Sequence, residues 1–394
     1  MVFLKISSMA DVETDIHIYF SYAGKILSGL FPYRDFGLEY PPGALPFFVL
    51  PRLFTNDLMT FRQLFVAEMM LVDLLSLLLV LWYWRMNGFS EKFVYLAGLM
   101  FTTLPVVLGL LTYQRYDLVP AVLVLGVIIL FVKGRHTPAW ILLGFAFAVK
   151  LYPLILAPVL LIASYKQKKL RNDLLKGVPA AAAAAAAVWL PFMLRAGSEF
   201  WVFLTYHAER GIQLESLYSS FIVAANFLGY PAATAFSFGS WNVESAVSSQ
   251  LARSSFVVML LLMILVLVHC WLVVKRPYWT VLDLPRLSVL MVLAFIIGGK
   301  VLSPQYLLWV LPLLAIALQE DSLYLNKIWG LFALVTFGSF LIFPYLGLID
   351  LELWPSLLLM VRNALLVVLF YFLFKKGDAS RHNKKTSETY PNNG

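Results

Sequence analysis

Apolar runs that are long enough to cross a lipid bilayer recur along this chain. Residues 252–274 and 354–374 are two of them, and a helix needs about 20 residues to span the hydrocarbon core. Charged residues make up only 13% of the 394-residue chain, against roughly 25% in a soluble domain. The sequence therefore predicts an all-α polytopic membrane protein.

Lysine and arginine residues cluster in short segments between the apolar runs. These basic segments are residues 85–92, 133–136, 165–176, 275–277 and 375–385. Such loops usually face the cytoplasm, so we attribute the net charge of +8 to membrane orientation and expect no nucleic-acid partner. The same rule predicts spans at 61–84, 93–112, 118–132, 177–194, 252–274, 328–345 and 354–374.

Two further apolar stretches are expected to enter the membrane and return on the same side. Residues 138–164 lie between two basic segments, so the chain must turn back near Lys150, Tyr152 and Pro153. Residues 287–319 behave likewise and turn at the sequence GGKVLSPQ. Each arm is short for a complete span, which predicts half-depth helices around a cavity. This layout gives about eleven crossings, with the N-terminus outside and the C-terminus in the cytoplasm.

The layout corresponds to a single transmembrane domain of residues 1–374. Two long extracytoplasmic loops are expected within it, at residues 15–42 and 195–251. Residues 43–54 are too short to cross, so we expect them to re-enter the membrane or to lie at the outer interface. Residues 375–394 form a basic cytoplasmic tail that we expect to be disordered.

Lys150 and Lys300 lie at the turns of the two returning stretches, on the expected outer side. An ionisable residue at membrane depth costs roughly 2.5–3.5 kcal/mol, so each lysine is a candidate functional residue. The alternative is that both side chains extend to lipid headgroups. A compact ammonium suits phosphate, and the polar, proline-containing turns beside both lysines favour a site for an anionic group.

Residues 205–220, TYHAERGIQLESLYSS, gather many polar side chains within an expected outer loop. One interpretation is a solvated loop. The other is a lid over a substrate, in which Arg210 contacts phosphate or sugar, because a forked guanidinium matches phosphate oxygens well.

Asp15 and His17 are two residues apart in the sequence DIHIY, so they would share a face of a strand but not of a helix. With no second carboxylate and no Cys or His cluster at ligand spacing, we expect no metal site there. A carboxylate near lipid, tuned by burial and nearby cations, is suited to act as a base. Alternatively, Asp15 caps the helix that follows. For Asp117, in RYDLVPA, a helix cap with Pro120 in the first turn is the preferred interpretation.

The stretch DIHIYFSYAGKILSGLFPYRDFGLEYPPG resembles the first outer loop of the GT-C membrane glycosyltransferases, and most of all that of glycosyltransferase family 87. Other stretches fit the family in order: RYDLVPA (115–121), FAVKLYPLILAP (147–158), HAERGIQLES (207–216) and KVLSPQYLLWVLP (300–312). The resemblance spans roughly residues 15–320. Members usually have a transmembrane helix before this Asp, whereas only fourteen residues precede Asp15 here, so we expect that helix to be missing.

The resemblance implies a GT-C-type bundle of about 11–12 helices, including short half-depth hairpins. It also implies an inverting, metal-independent sugar transfer on the extracytoplasmic side, without a cofactor. The donor would be a polyprenyl-phosphate sugar and the acceptor a glycolipid or glycan. Mannose is the expected sugar, while arabinose, glucose and galactosamine stay open.

The same resemblance assigns roles to residues of this chain. By position, Asp15 would be the general base. Lys150, Arg210 and Lys300 would bind the donor phosphate. The candidate sugar- and acceptor-binding residues are His17, Tyr19, Glu39, Tyr40, His207, Gln213, Glu215 and Gln305.

Two other functions stay open on the sequence. A transporter or lipid flippase also has broken helices and lysines at membrane depth, although such proteins commonly carry internal repeats and none is visible here. A subunit or scaffold that lacks its first helix would bind donor without transferring sugar. The sequence predicts neither the acceptor, nor the lipid length, nor the oligomeric state.

Overall fold

A computed structural model describes residues 15–318, 322–343 and 345–375 of the chain. The first fourteen residues and the expected tail beyond Lys375 lie outside the described residues. Within the described residues the fold is helical, with one two-stranded antiparallel sheet. The prediction of an all-α membrane protein is therefore confirmed.

The described part of the chain contains helices of very different lengths. The α-helices are α1 (Asp15–Leu27), α2 (Leu45–Arg52), α3 (Leu58–Met86), α4 (Glu91–Leu108), α5 (Leu110–Tyr113), α6 (Leu118–Val132), α7 (His136–Val149), α8 (Ala157–Lys166), α9 (Leu170–Asn172), α10 (Val178–Ala196), α11 (Val202–Glu209), α12 (Leu217–Phe227), α13 (Ser248–Lys275), α14 (Leu284–Gly298), α15 (Leu307–Ala317), α16 (Ser322–Ile342) and α17 (Leu353–Lys375). The strands are β1 (Ala232–Ser237) and β2 (Ser240–Ser245).

The fold contains both long and short apolar helices. Six stretches of the described residues are long and apolar enough to cross a membrane: Leu58–Met86, Glu91–Leu108, Leu170–Glu209, Ser248–Lys275, Val281–Gly298 and Leu353–Lys375. Shorter apolar helices accompany them at Leu118–Val132, His136–Val149, Tyr152–Lys166, Leu217–Phe227, Pro304–Ala317 and Lys327–Ile342. The protein is therefore multi-pass, and some of the expected crossings correspond to short helices.

The first returning stretch is built as predicted. Helix α7 ends at Val149, the chain turns at Lys150 and Leu151, and a 3-10 turn over Tyr152–Leu156 leads into α8. Proline fixes φ and has no N–H to donate, so it suits the first turn of such a helix. The two arms are short because this turn falls in the middle of an apolar run.

The second returning stretch differs from the prediction in its first arm. A capping box formed by Thr280 and Asp283 starts the helical run before the expected residue 287, because it satisfies the free N–H groups of the first turn. The resulting run, Val281–Gly298, has 18 residues and is long enough to span. The expectation that both arms are too short is therefore wrong for this arm and holds for Pro304–Ala317.

Three helices form the centre of the bundle, and others surround it. Almost every side chain of α6, α14 and α15 is buried, as expected for helices that are apolar on all sides. In contrast, α3 and α13 leave leucines such as Leu71 and Leu261 exposed. These exposed apolar faces suit contact with lipid.

Both expected outer loops contain regular structure. Residues 15–27 form α1 rather than a loop, because Ile16, Tyr19 and Ala23 repeat at helical spacing and are buried together. Residues 195–251 contain α11, α12 and the β1–β2 hairpin. The segment 43–54, expected at an interface, forms the short helix α2 after a 3-10 turn over Pro42–Ala44.

Close contact between α7 and α10 requires glycine at position 144. A Cβ atom there would overlap the backbone carbonyl of Ala181, near the start of the alanine run 180–187. Small residues allow helices in lipid to approach this closely. The alanine run therefore has a packing role.

We predict that Gly144→Ala destabilises the protein, because the new methyl group forces α7 and α10 apart at a cost of about 1–3 kcal/mol. Thermal unfolding in detergent measures the effect. Gly330→Ala is the matched control, since a Cβ atom at this exposed position of α16 meets no neighbour. Equal unfolding midpoints for both variants would contradict the close contact.

Candidate functional site

A cavity of about 1770 Å³ lies between the N-terminal ends of α1 and α13 and the C-terminal ends of α7 and α14. The β1–β2 hairpin and the end of α11 border it on one side. Of the twelve residues with predicted roles, eleven line this cavity: Asp15, His17, Tyr19, Glu39, Tyr40, Lys150, His207, Arg210, Gln213, Lys300 and Gln305. The structure thus brings distant parts of the sequence together as expected.

The cavity and the basic segments lie at opposite ends of the same helices. Helix α7 runs from His136 in one basic segment to Lys150 at the cavity, and α13 runs from the cavity to Lys275 in another. The basic segments also contact one another, since the Lys166 ammonium donates a hydrogen bond to the carbonyl of Arg276 at 3.4 Å. The bundle therefore has one basic end and one cavity end.

Asp15 lies at the first described position of α1 and carries two polar contacts. Its carboxylate forms an ion pair with Arg115 and accepts a hydrogen bond from the Tyr19 hydroxyl at 3.3 Å. Tyr19 is one helical turn further on, so both side chains lie on the same face of α1. The ring of Tyr19 is buried and stacks on Phe48 at 4.1 Å between ring centroids, which fixes the hydroxyl in place.

Asp117 does not cap α6, and the preferred interpretation of its sequence context was wrong. Its side chain makes no capping hydrogen bond. Instead, its Oδ1 accepts hydrogen bonds from the Lys150 ammonium at 2.5 Å and from the Trp309 indole N–H at 2.7 Å. The Asp117 side chain is only 3% exposed, and a buried carboxylate is costly without an opposite charge beside it. Pairing with Lys150 therefore outweighs a capping hydrogen bond.

Lys150 is held inside the cavity rather than extended to the headgroups. Besides Asp117, its ammonium lies 4.6 Å from the ring centroid of Tyr116 and 5.1 Å from that of Trp309. Trp309 is itself stacked on Tyr152 at 4.1 Å. Aromatic faces attract a cation, so Lys150 is a fixed charge that Asp117 already balances.

Arg210 and Lys300 are cations of a different kind. The guanidinium of Arg210 donates to the Ser240 hydroxyl at 3.0 Å, and the Lys300 ammonium donates to the carbonyl of Ala208 at 2.7 Å. Among the described residues neither has an acidic side chain within ion-pair distance. Burial lowers the pKa of Lys300, and the nearby charge of Arg210 lowers it further. Two neighbouring, unbalanced cations are suited to bind a phosphate.

Gln213 connects the two halves of this cation site. Its backbone N–H donates to the carbonyl of Lys300 at 3.0 Å, and its side-chain amide donates to the Ser303 hydroxyl at 3.0 Å. These bonds join the segment that follows Arg210 to the turn that carries Lys300. Gln213 therefore holds the two cations at a fixed separation.

Glu215 is the one predicted residue that lies away from the cavity. It is fully buried, where its carboxylate pairs with Arg362 of α17 at 2.9 Å and accepts a hydrogen bond from Tyr345 at 2.8 Å. A buried carboxylate that is paired in this way has no free oxygen to offer a sugar hydroxyl. The assignment of Glu215 to sugar or acceptor binding is thus corrected to a structural ion pair.

Sequence reasoning missed Arg115, Asp117 and Trp309 as cavity residues. A signal was present, since Arg115 and Asp117 stand in YQRYD beside an apolar run, where ionisable residues are functional candidates. Among residues 15–318, 322–343 and 345–375, no group of three or more His, Cys, Asp or Glu side chains is placed to hold a metal ion. The metal-independent reaction stays a prediction.

Comparison with known proteins places these residues in a family context. The sequence model of Glycosyltransferase family 87 matches residues 38–304. The chain is also similar to the GPI alpha-1,4-mannosyltransferase I, catalytic subunit, of Danio rerio, with 28% identity over 360 residues that cover 88% of this chain and 81% of the relative. The family match includes Lys150, Arg210 and Lys300 and begins after Asp15.

We predict that Glu215→Leu destabilises the protein by about 3–5 kcal/mol, because it leaves the Arg362 guanidinium buried without its partner. The double variant Glu215→Leu/Arg362→Met should recover much of this loss, since it removes both buried charges. Denaturant unfolding of the two variants and the wild type provides the comparison. Strictly additive losses would show that the two side chains do not form a coupled pair.

Proposed function

Since the chain belongs to glycosyltransferase family 87 and is a membrane glycosyltransferase, we propose that it transfers mannose from a polyprenyl phosphate to a hydroxyl group of a lipid-linked or glycan acceptor. The transfer inverts the anomeric carbon and takes place on the extracytoplasmic side. One observation carries this proposal: a single cavity holds the Asp15 carboxylate together with two unbalanced cations, Arg210 and Lys300.

The choice of mannose rests on the similar protein of Danio rerio, whose name describes an alpha-1,4-mannosyltransferase. The polyprenyl-phosphate sugar is a substrate in this proposal, and no cofactor takes part. A glycolipid or a glycan would supply the accepting hydroxyl group. A transporter needs no base, so sugar transfer itself separates the two functions.

Asp15 acts as the general base in the proposed reaction. The acceptor oxygen forms a bond to the anomeric carbon as the bond from that carbon to the phosphate oxygen breaks, and Asp15 takes the proton from the acceptor hydroxyl. Contact with the Arg115 guanidinium favours the ionised carboxylate, which is the form that accepts a proton. The Tyr19 hydroxyl orients the carboxylate through its hydrogen bond.

Arg210 and Lys300 stabilise the leaving group. The polyprenyl phosphate departs with one more negative charge than it carried in the donor, and fixed cations beside it lower the energy of the transition state. Lys150 contributes less in this scheme, because Asp117 already balances its charge at 2.5 Å. We therefore assign phosphate binding first to Arg210 and Lys300 and only secondarily to Lys150.

The lipid chain of the donor has a path along α13. Phe256 and Met259 of this helix line the cavity. One and two turns beyond Phe256 on the same face, Leu260 and Ile264 are exposed on the apolar surface. A polyprenyl chain bound along this face would pass from the cation site into the bilayer without leaving an apolar environment.

The proposed side of the membrane follows from the distribution of charge. Basic segments usually remain in the cytoplasm, and they lie at the end of α7 and α13 opposite the cavity. The cavity then opens on the extracytoplasmic side. Lys375, at the end of α17, lies on the cytoplasmic side in the same scheme, together with the C-terminus.

We predict that Asp15→Asn lowers the transfer rate by about 10²–10⁴-fold, because the amide cannot take the acceptor proton, while donor binding is retained. Transfer of labelled mannose from short-chain polyprenyl-phosphate mannose to membrane lipids measures the rate. Asp35→Asn is the control, since Asp35 is a partly exposed residue in the loop after α1 and pairs with Arg34. Near wild-type transfer by Asp15→Asn would exclude Asp15 as the base.

We predict that Arg210→Gln and Lys300→Gln each weaken donor binding by about tenfold or more, because each removes a charge-assisted contact to the phosphate. Binding of the labelled donor to purified protein in nanodiscs provides the measurement. Arg85→Gln is the matched control, because Arg85 pairs with Glu91 in a basic segment at the opposite end of the bundle. Unchanged donor affinity in both cavity variants would place the phosphate elsewhere.

A further inference from the structure

The β1–β2 hairpin forms one wall of the cavity and is fixed to its surroundings. A two-stranded hairpin is marginally stable by itself, but here a third extended segment pairs with β2. The N–H of Leu214 donates to the carbonyl of Trp241 at 2.9 Å, and the N–H of Val243 donates to the carbonyl of Ile212 at 2.8 Å. The hairpin is therefore held in place by the same segment that carries Gln213.

The turn of this hairpin contains an unusual residue for its geometry. Phe238 and Gly239 connect the strands, with φ angles of 51° and 65°. A two-residue turn with positive φ at both positions favours Asn-Gly, and a bulky residue in that region is uncommon. Backbone strain of this kind concentrates at functional sites. The ring of Phe238 lines the cavity and meets Tyr206 edge-on at 5.4 Å.

A buried polar atom on the hairpin has no partner within the described protein. Asn242 is only 3% exposed, and its amide nitrogen donates to the carbonyls of Ser237 and Ser240 at 3.0 and 3.1 Å. Its side-chain oxygen accepts no hydrogen bond from the described residues. Asn242 borders the cavity, and leaving such an acceptor unpaired is unfavourable. This oxygen is enclosed by protein, however, so Asn242 contributes by clamping the turn that carries Phe238 rather than by contacting a ligand.

We propose that this hairpin, together with Tyr206, is the subsite for the acceptor sugar and that it takes a neutral hexose. Residues 236–243 read FSFGSWNV and carry no charge. The charges that border them have opposite signs, Glu244 in β2 and Arg210 at Ser240, which favours a neutral ligand over an anionic one. Aromatic rings bind the apolar face of a ligand, and a few placed polar groups fix its orientation. Phe238 supplies the ring, and the hydroxyl groups of Tyr206 and Ser237, which also border the cavity, supply the polar contacts.

The position of the hairpin favours the acceptor over the donor, given the proposed function. The Tyr206 hydroxyl interacts with the carboxylate of Glu39. Tyr40 follows Glu39, and its ring centroid lies 5.7 Å from that of Tyr19. The Tyr19 hydroxyl in turn donates a hydrogen bond to Asp15. This line of contacts leads from the turn of the hairpin to the base, and the base must meet the acceptor hydroxyl. The donor phosphate would be bound by Arg210 and Lys300, and Arg210 contacts the hairpin at Ser240, so donor and acceptor would meet at this edge of the hairpin.

Phe238→Asn tests the subsite, because Asn keeps the turn favourable while it removes the ring. Octyl α-D-mannopyranoside serves as the probe, first as an acceptor with polyprenyl-phosphate mannose as donor. We expect the KM for the mannoside to rise about tenfold, in line with the loss of one aromatic contact. The KM for the donor and the rate at saturating mannoside should stay within about twofold of wild type.

Two further variants separate binding from folding. Phe238→Tyr keeps the ring and should restore the wild-type KM for the mannoside. Tyr230→Asn removes an exposed aromatic residue just before β1 that does not line the cavity, and it should change neither KM. Loss of mannoside affinity in all three variants would indicate a general disturbance of the hairpin and would contradict the subsite.

Saturation-transfer NMR of the mannoside with wild type and Phe238→Asn, in the absence of donor, distinguishes this inference from the proposed function. A signal that Phe238→Asn abolishes supports the sugar subsite even if no mannose is transferred, in which case the proposed function alone fails. Mannose transfer with an unchanged KM for the mannoside in Phe238→Asn would overturn the subsite alone. A rise in the KM for the donor instead would assign the hairpin to the donor sugar.

Discussion

Two ion pairs, Arg115–Asp15 and Lys150–Asp117, organise the polar end of an otherwise apolar bundle. A charge at membrane depth is costly unless an opposite charge meets it. The short segment 115–117, just before α6, supplies one member of each pair. The two ion pairs therefore fix α1 and the end of α7 against the start of α6. The pairs also decide which charges remain available. Once Asp15 and Asp117 have their partners, the remaining cavity arginines and lysines are Arg210, Lys300 and Arg253, of which Arg210 and Lys300 are joined through Gln213.

The membrane fold could be predicted because its signals are local. The length and polarity of each run mark most helices to within a few residues, and the turn at Lys150 follows from the position of the basic segments. The β1–β2 hairpin was not predicted, and residues 15–27 were assigned to an outer loop, with a helix after Asp15 only as the alternative. Both elements are short. In α1 the buried residues Ile16, Tyr19 and Ala23 follow helical spacing, but the polar residues between them are typical of a loop.

Side-chain pairing is the part of the site that the sequence does not specify. A helix cap is predicted from the residues next to it in the sequence, so Asp117 was predicted to cap α6. Its actual partners, Lys150 and Trp309, are 33 and 192 residues away. The same holds for Glu215, which pairs with Arg362 at a separation of 147 residues. Lys150 and Lys300 were predicted as cavity residues because a lysine at the turn of an apolar stretch is conspicuous wherever its partner lies, and Arg210 because its loop gathers polar residues.

The stereochemistry of transfer tests the proposed displacement most directly. The donor would be polyprenyl-phosphate mannose of known anomeric configuration, labelled with ¹³C at the anomeric carbon, and the one-bond C–H coupling of the product reports its configuration. Attack by the acceptor with Asp15 as base predicts a product of the opposite configuration to the donor. A product that retains the donor configuration would contradict it, because a single in-line attack by the acceptor always inverts the anomeric carbon.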